Sequence, residues 1–198
     1  MSPISRAASI VALVAGLTVG CASGPGETPE AGSSASPARP GRPASSTRIT
    51  FIPEHVILPG GSTAAVRPAS TVDGQLAVPE DVRHVGWWDG SASVGDPYGS
   101  TVIAGHVDAA TGGPGYFAQL LSIRKGERVT VRSGEHRLAY RIVSVRSVSR
   151  TALATTSAAF DQSGEHRLVL ITCTGTFRPD RGYDRNLVVI GEPLGQAR

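Results

Sequence analysis

The sequence is short of cysteine, of aromatic residues and of concentrated charge. Only two of its 198 residues are cysteine. Cys21 and Cys173 lie far apart and share no metal-ligand spacing with the five histidines, which argues against a structural zinc site. Aromatic residues make up only 5% of the chain, so its core must rest on aliphatic side chains. The 19 basic and 16 acidic residues leave a net charge of +3, with no run of Lys or Arg, and nothing implies a nucleic-acid partner. The longest apolar stretch, Ala7–Ala22, has 16 residues, short of the ~20 that cross a bilayer. What is abundant is punctuation. The 24 glycines and 14 prolines disfavour a helical bundle or coiled coil and favour short strands joined by turns.

The N-terminal part reads as a targeting segment. Met1–Arg6 ends in a positive charge, Ala7–Gly20 carries none, and Cys21 follows at a small-residue boundary. Residues 1–21 are therefore a secretory signal. Leu17-Thr18-Val19-Gly20-Cys21 resembles a bacterial lipobox, which makes Cys21 a lipidation candidate, although Thr18 replaces the usual aliphatic residue. An ordinary signal or a short uncleaved anchor is the alternative. Each version delivers the rest of the chain outside the cytoplasmic membrane. In residues 22–46, Pro, Gly, Ser and Ala fill 20 of 25 positions, and nothing aliphatic larger than Ala occurs. Such a segment cannot offset its ordering entropy by burial, and it reads as a flexible tether.

From residue 47 the pattern is that of a β domain running to residue 198. Strands are expected at Arg48–Ile52, His55–Leu58, Gln75–Val78 after the Asp73-Gly74 turn, Val82–Trp88, Ser100–His106, Arg167–Cys173 and Asn186–Gly191. Glu127–Arg132 and Arg137–Val148 read as a hairpin about Ser133-Gly134-Glu135. Short helices are expected within Gly115–Ile123 and Thr151–Phe160. The fold class is mainly β, with about eight strands and one or two short helices. A closed barrel is the natural way to hide the strand edges.

Cys173 is the one cysteine of this domain, placed where an apolar strand gives way to Thr174-Gly175-Thr176. A buried core thiol is the plain alternative. An exported chain, however, exposes an unpaired thiol to oxidation, so keeping one calls for a use. His106 also follows a short apolar strand, and an imidazole is what a cysteine nucleophile needs, first for its own proton and then for an amine leaving group. His84 reads as packing beside Trp87 and Trp88, His136 and His166 as solvated residues of two Gly-Glu-His-Arg turns, and His55 as part of the opening extended region. A cation for the oxyanion of acyl transfer could come from Arg185, which opens the last strand, or from Arg178 or Arg181 in the loop before it.

Thr101–Asp108, then Leu170-Ile171-Thr172-Cys173, then Arg185 before Asn186–Val189, together resemble the sortase transpeptidases. Val85–Trp88 and Gly105-His106-Val107-Asp108 are most similar to the actinobacterial class F group. The resemblance implies an eight-stranded sortase-like barrel, Cys173 as nucleophile, His106 as acid and base, Arg185 as the residue that orients and stabilises the substrate carbonyl, and Thr172 as a substrate-binding residue. Two positions depart from the pattern. Val169 stands where relatives have the first threonine of Thr-Leu-x-Thr-Cys. Tyr183-Asp184-Arg185-Asn186 stands where they have Tyr-Arg-Asp-Asn, which leaves the arginine open.

The implied reaction is cleavage of a Leu-Pro-x-Thr-Gly-like sorting signal at the cell surface through a thioacyl intermediate. Transfer to an amine of the cell wall or of another protein, or to water, completes it. No metal or organic cofactor is implied, and the expected enzyme is a membrane-tethered monomer. Two other readings fit less well. A murein L,D-transpeptidase usually carries Ser-x-Gly-Cys, whereas here Leu-Ile-Thr precedes the cysteine. A tethered binding module with an inert Cys173 would resist alkylation at neutral pH.

Overall fold

The computed structural model describes residues 47–155 and 158–198. The segments read as signal and tether, with Cys21, lie outside the described residues. The strands are His55–Ile57 (β1), Thr63–Ala69 (β2), Thr71–Val72 (β3), Gln75–Leu76 (β4), Val85–Trp88 (β5), Ser100–Ala104 (β6), Arg128–Ser133 (β7), His136–Ser149 (β8), Arg167–Arg178 (β9) and Gly182–Pro193 (β10). Eight of them close into a barrel in the order β1-β2-β5-β6-β9-β10-β8-β7, with β7 returning to β1. The pairs β2/β5 and β6/β9 are parallel and the others antiparallel. β3 and β4 form a separate hairpin about Asp73 (φ 50°) and Gly74 (φ 74°), the left-handed pair that a two-residue turn requires.

Alternation along the strands builds two apolar layers. Leu168 and Leu170 of β9 and Leu187 and Val189 of β10 join Tyr140, Ile103 and Phe117 in the main core. Val169, Ile171 and Val188 face the other way and pack with Val102, Ala104 and Ala159. Each fully buried Leu or Ile contributes roughly 1.5–3 kcal/mol, so β6, β9 and β10, apolar on both faces, are the most firmly held part of the fold. A short α-helix, Arg150–Thr155 (α1), and a single 3-10 turn, Ala158–Phe160, follow β8; Leu153 and Phe160 cover the second layer. The helix expected within Gly115–Ile123 is a 3-10 helix, Tyr116–Ser122.

Several expectations need correction. Arg48–Ile52 is no strand; its Phe51 forms an isolated bridge with Val94, exchanging backbone hydrogen bonds. β2 had no counterpart in the sequence reading, since Thr63–Ala69 is rich in small residues and contains Pro68. β9 does not stop at Cys173. It runs on to Arg178, paired with the start of β10 in a hairpin that begins at Gly182 rather than Asn186. His166 is not solvated. Only 8% exposed, it bonds to the Tyr140 hydroxyl at 2.8 Å, and burial holds its imidazole below the ordinary histidine value. His84 pairs with Asp81 at 3.4 Å.

Candidate active site

The parallel pairing of β6 with β9 sets the site. It runs from Ser100 opposite Arg167 to Ala104 opposite Ile171. Gly105 and His106 follow directly on Ala104, as Thr172 and Cys173 follow on Ile171. Beyond Ala104 the chain leaves the sheet while β9 continues, so Cys173 lies mid-strand where the ladder loses one neighbour. The two strand ends are clamped together there. The Gly105 amide donates to the Ile171 carbonyl at 3.0 Å, and the buried Thr172 hydroxyl donates to the Gly105 carbonyl at 2.9 Å. Gly105 is needed for its lack of a side chain, because a Cβ there would come within 2.8 Å of both Phe117 and Val85.

His106 and Cys173 open onto one cleft of about 690 Å³. Its walls come from the β3–β4 hairpin and the segment after it (Leu76, Val78), from α1 (Arg150, Leu153), from Phe160, and from β10 (Tyr183, Asn186). Leu76, Val78, Leu153 and Phe160 make part of the lining apolar, and Arg150, Tyr183 and Asn186 make part of it polar. Asn186 sits directly opposite Cys173 in the β9/β10 ladder, on the same face. The Tyr183 hydroxyl donates to the Asp108 carboxylate, a bond that holds the phenol above its ordinary pKa and ties β10 to the loop after His106.

Cys173 is half-buried. Burial pushes its thiol above the ordinary value, the Asp108 carboxylate adds to this, and the Arg150 guanidinium opposes it. At rest the sulfur is therefore held mainly as the thiol. Because only the thiolate is alkylated, the iodoacetamide reaction of the folded protein should be slower at neutral pH than that of a free cysteine and should still be rising past about pH 8.5. A rate already level below pH 7 would contradict this assignment.

The other residues singled out in the sequence are placed as follows. Thr172 lines the cleft, but its hydroxyl is engaged with Gly105. Arg185 pairs with Thr174 on one side and Ser149 on the other, one residue out of phase with Cys173. Its guanidinium donates to the hydroxyl and carbonyl oxygens of Ser147, both at 2.7 Å, and it does not line the cleft. Arg178 closes β9, and Arg181 pairs with Asp180 at 2.9 Å. The sequence reading missed Arg150 and Asn186. Asn186 could have been found from the strand pattern, since it shares the phase of Val188. Arg150 gave no signal, because its position depends on where a six-residue helix packs.

The sortase domain family profile matches residues 57–194. No curated protein sequence matches the chain. Among solved structures, sortase C of Streptococcus pneumoniae aligns with a TM-score of 0.55 at 20% identity, over 72% of this chain and 66% of that one, just under two thirds of its length. A sortase C of Streptococcus suis gives 0.57 at 18% identity, over 72% and 73%. Sortase C-1 of Actinomyces oris gives 0.55 at 21%, also over 72% and 73%. At these identities the structural matches speak for the fold alone.

Proposed function

Since the chain belongs to the sortase family of extracytoplasmic, membrane-associated cysteine transpeptidases, we propose that it works through Cys173 as nucleophile and His106 as the proton-transfer group. The observation that carries this reading is that His106 and Cys173 line one cleft, each one residue beyond the Gly105–Thr172 clamp. His106 takes the Cys173 thiol proton as the sulfur attacks the Thr carbonyl of a Leu-Pro-x-Thr-Gly-like signal, forming a C–S bond and moving the carbonyl electron pair onto oxygen. Collapse breaks the C–N bond. The departing Gly nitrogen takes its proton from His106, leaving a thioester. An incoming amine, or water, gives a proton to His106 as it displaces the sulfur, and His106 passes that proton to the sulfur to restore the thiol. Thr172 is the positioning residue of this pair, since its hydroxyl fixes the backbone just before His106.

The apolar wall of Leu76, Val78, Leu153 and Phe160 suits the Leu-Pro part of such a signal. The motifs Val85–Trp88 and Gly105–Asp108 support placement in the actinobacterial class F group. Residues 22–46 serve as the tether in this reading, and the N-terminal segment, through Cys21 or as an uncleaved anchor, is the attachment. Among the described residues no helix is long and apolar enough to cross a membrane.

The test is a panel of sorting-signal peptides incubated with the domain and an amine acceptor such as triglycine. The expected result is cleavage between Thr and Gly, with transfer of the N-terminal fragment to the amine. Cleavage elsewhere, or none across the panel, would contradict it.

A further inference from the structure

We propose that Arg150 of α1, not Arg185 of β10, supplies the guanidinium that stabilises the carbonyl oxygen during attack by Cys173. The inference rests on the reading of the site above and deepens it.

The case against Arg185 is geometric. Directly opposed residues of an antiparallel ladder share a face, and the partner of Cys173 is Asn186. Arg185 is the next residue along, so it faces the other way, with Ser149 and Ser147 of β8. Two hydrogen bonds of 2.7 Å to Ser147 fix its guanidinium there. The irregularity between Tyr183 and Arg185 does not turn it back. It falls at Asp184, whose carboxylate accepts the Thr176 amide at 2.8 Å.

The case for Arg150 is equally direct. It lines the cleft that holds Cys173 and His106, on the wall made by α1. Its Nη1 donates to the Arg181 carbonyl at 2.7 Å, which anchors one corner of the planar fork against the β9–β10 hairpin. An arginine held at one corner on the cleft wall is a preorganised donor for developing negative charge. Its positive charge also favours the Cys173 thiolate over the thiol. When the carbonyl electron pair moves onto oxygen, the guanidinium donates N–H bonds to that oxygen without giving up its proton. It releases them when the C–N bond breaks and the carbonyl re-forms.

The test compares Arg150→Met and Arg185→Met for kcat/KM of sorting-peptide cleavage, with thermal melts to verify folding. Arg150→Met should lose on the order of 10²-fold or more, and Arg185→Met less than about fivefold. The pH profile of Cys173 alkylation should move upward in Arg150→Met and stay in place in Arg185→Met, a readout that loss of structure alone would not produce. Arg150→Lys, which keeps the charge without the fork, should leave the alkylation profile in place while still losing about tenfold or more in kcat/KM. This second variant decides the matter should Arg150→Met not fold. Full activity in Arg150→Lys, or near-full activity in a folded Arg150→Met, overturns the inference, as does a loss seen only in Arg185→Met. Cleavage by a Cys173→Ala protein would overturn the underlying reading of the site instead.

Discussion

Cys173→Ala should abolish peptide cleavage, with a loss on the order of 10⁴-fold or greater, while leaving the barrel folded. A nucleophile removed from a group that works as a unit takes nearly all of the chemistry with it. The fold has little reason to suffer. Cys173 is half-buried at the cleft wall rather than in either apolar layer, and alanine removes only the sulfur. Its backbone pairing with Asn186 does not depend on the side chain. Circular dichroism and thermal melting should therefore be near wild type, and peptide binding measured by fluorescence anisotropy should persist. Retained cleavage would show that another residue attacks.

His106→Ala should lower the amide-cleaving rate by about 10²–10⁴-fold, because the Gly nitrogen would leave without a positioned proton donor. The loss should shrink when the scissile amide is replaced by an ester, since an alkoxide leaves more readily than an amide anion. That contrast separates proton transfer from a structural effect. A structural effect is further excluded if Cys173 in the variant still alkylates at high pH. Equal losses on amide and ester would contradict the assigned role. The neighbouring backbone already constrains His106. Gly105 has no room for a Cβ between Phe117 and Val85, and its carbonyl is taken by Thr172, so the imidazole hangs from a fixed point.

The barrel was readable because most of its strands carry their own pattern. β7 and β8 alternate about a glycine turn, and β6 and β9 are apolar runs of strand length. β2 escaped because its place in the barrel comes from pairing on both sides, with β1 and β5, and not from large or branched side chains. The pair His136 and His166 shows the limit of local reading. Both sit in the tetrapeptide Gly-Glu-His-Arg. His136 opens a surface hairpin and stacks against Phe51, whereas His166, just before β9, turns inward to Tyr140. Nothing in four residues distinguishes these outcomes.

The candidate site divides in the same way. His106 and Cys173 were legible as candidates because each stands at the end of an apolar run of strand length. The arginine was not, since its side is set by strand phase and by the irregularity at Asp184. One residue of phase turns a side chain to the opposite face of a sheet. The sequence order Tyr183-Asp184-Arg185-Asn186 already marked this position as one of the two that depart from relatives. The packing of α1 then brings Arg150, remote from every motif, to the cleft.

The most direct measurement is the intact mass of the domain after a brief incubation with a sorting-signal peptide and no amine acceptor. The account predicts a species heavier by the acyl fragment ending in Thr, mapped by peptide digestion to Cys173, labile to hydroxylamine and discharged by triglycine. Cleavage of the peptide with no such adduct at any time point, or an adduct mapped to another residue, would contradict it.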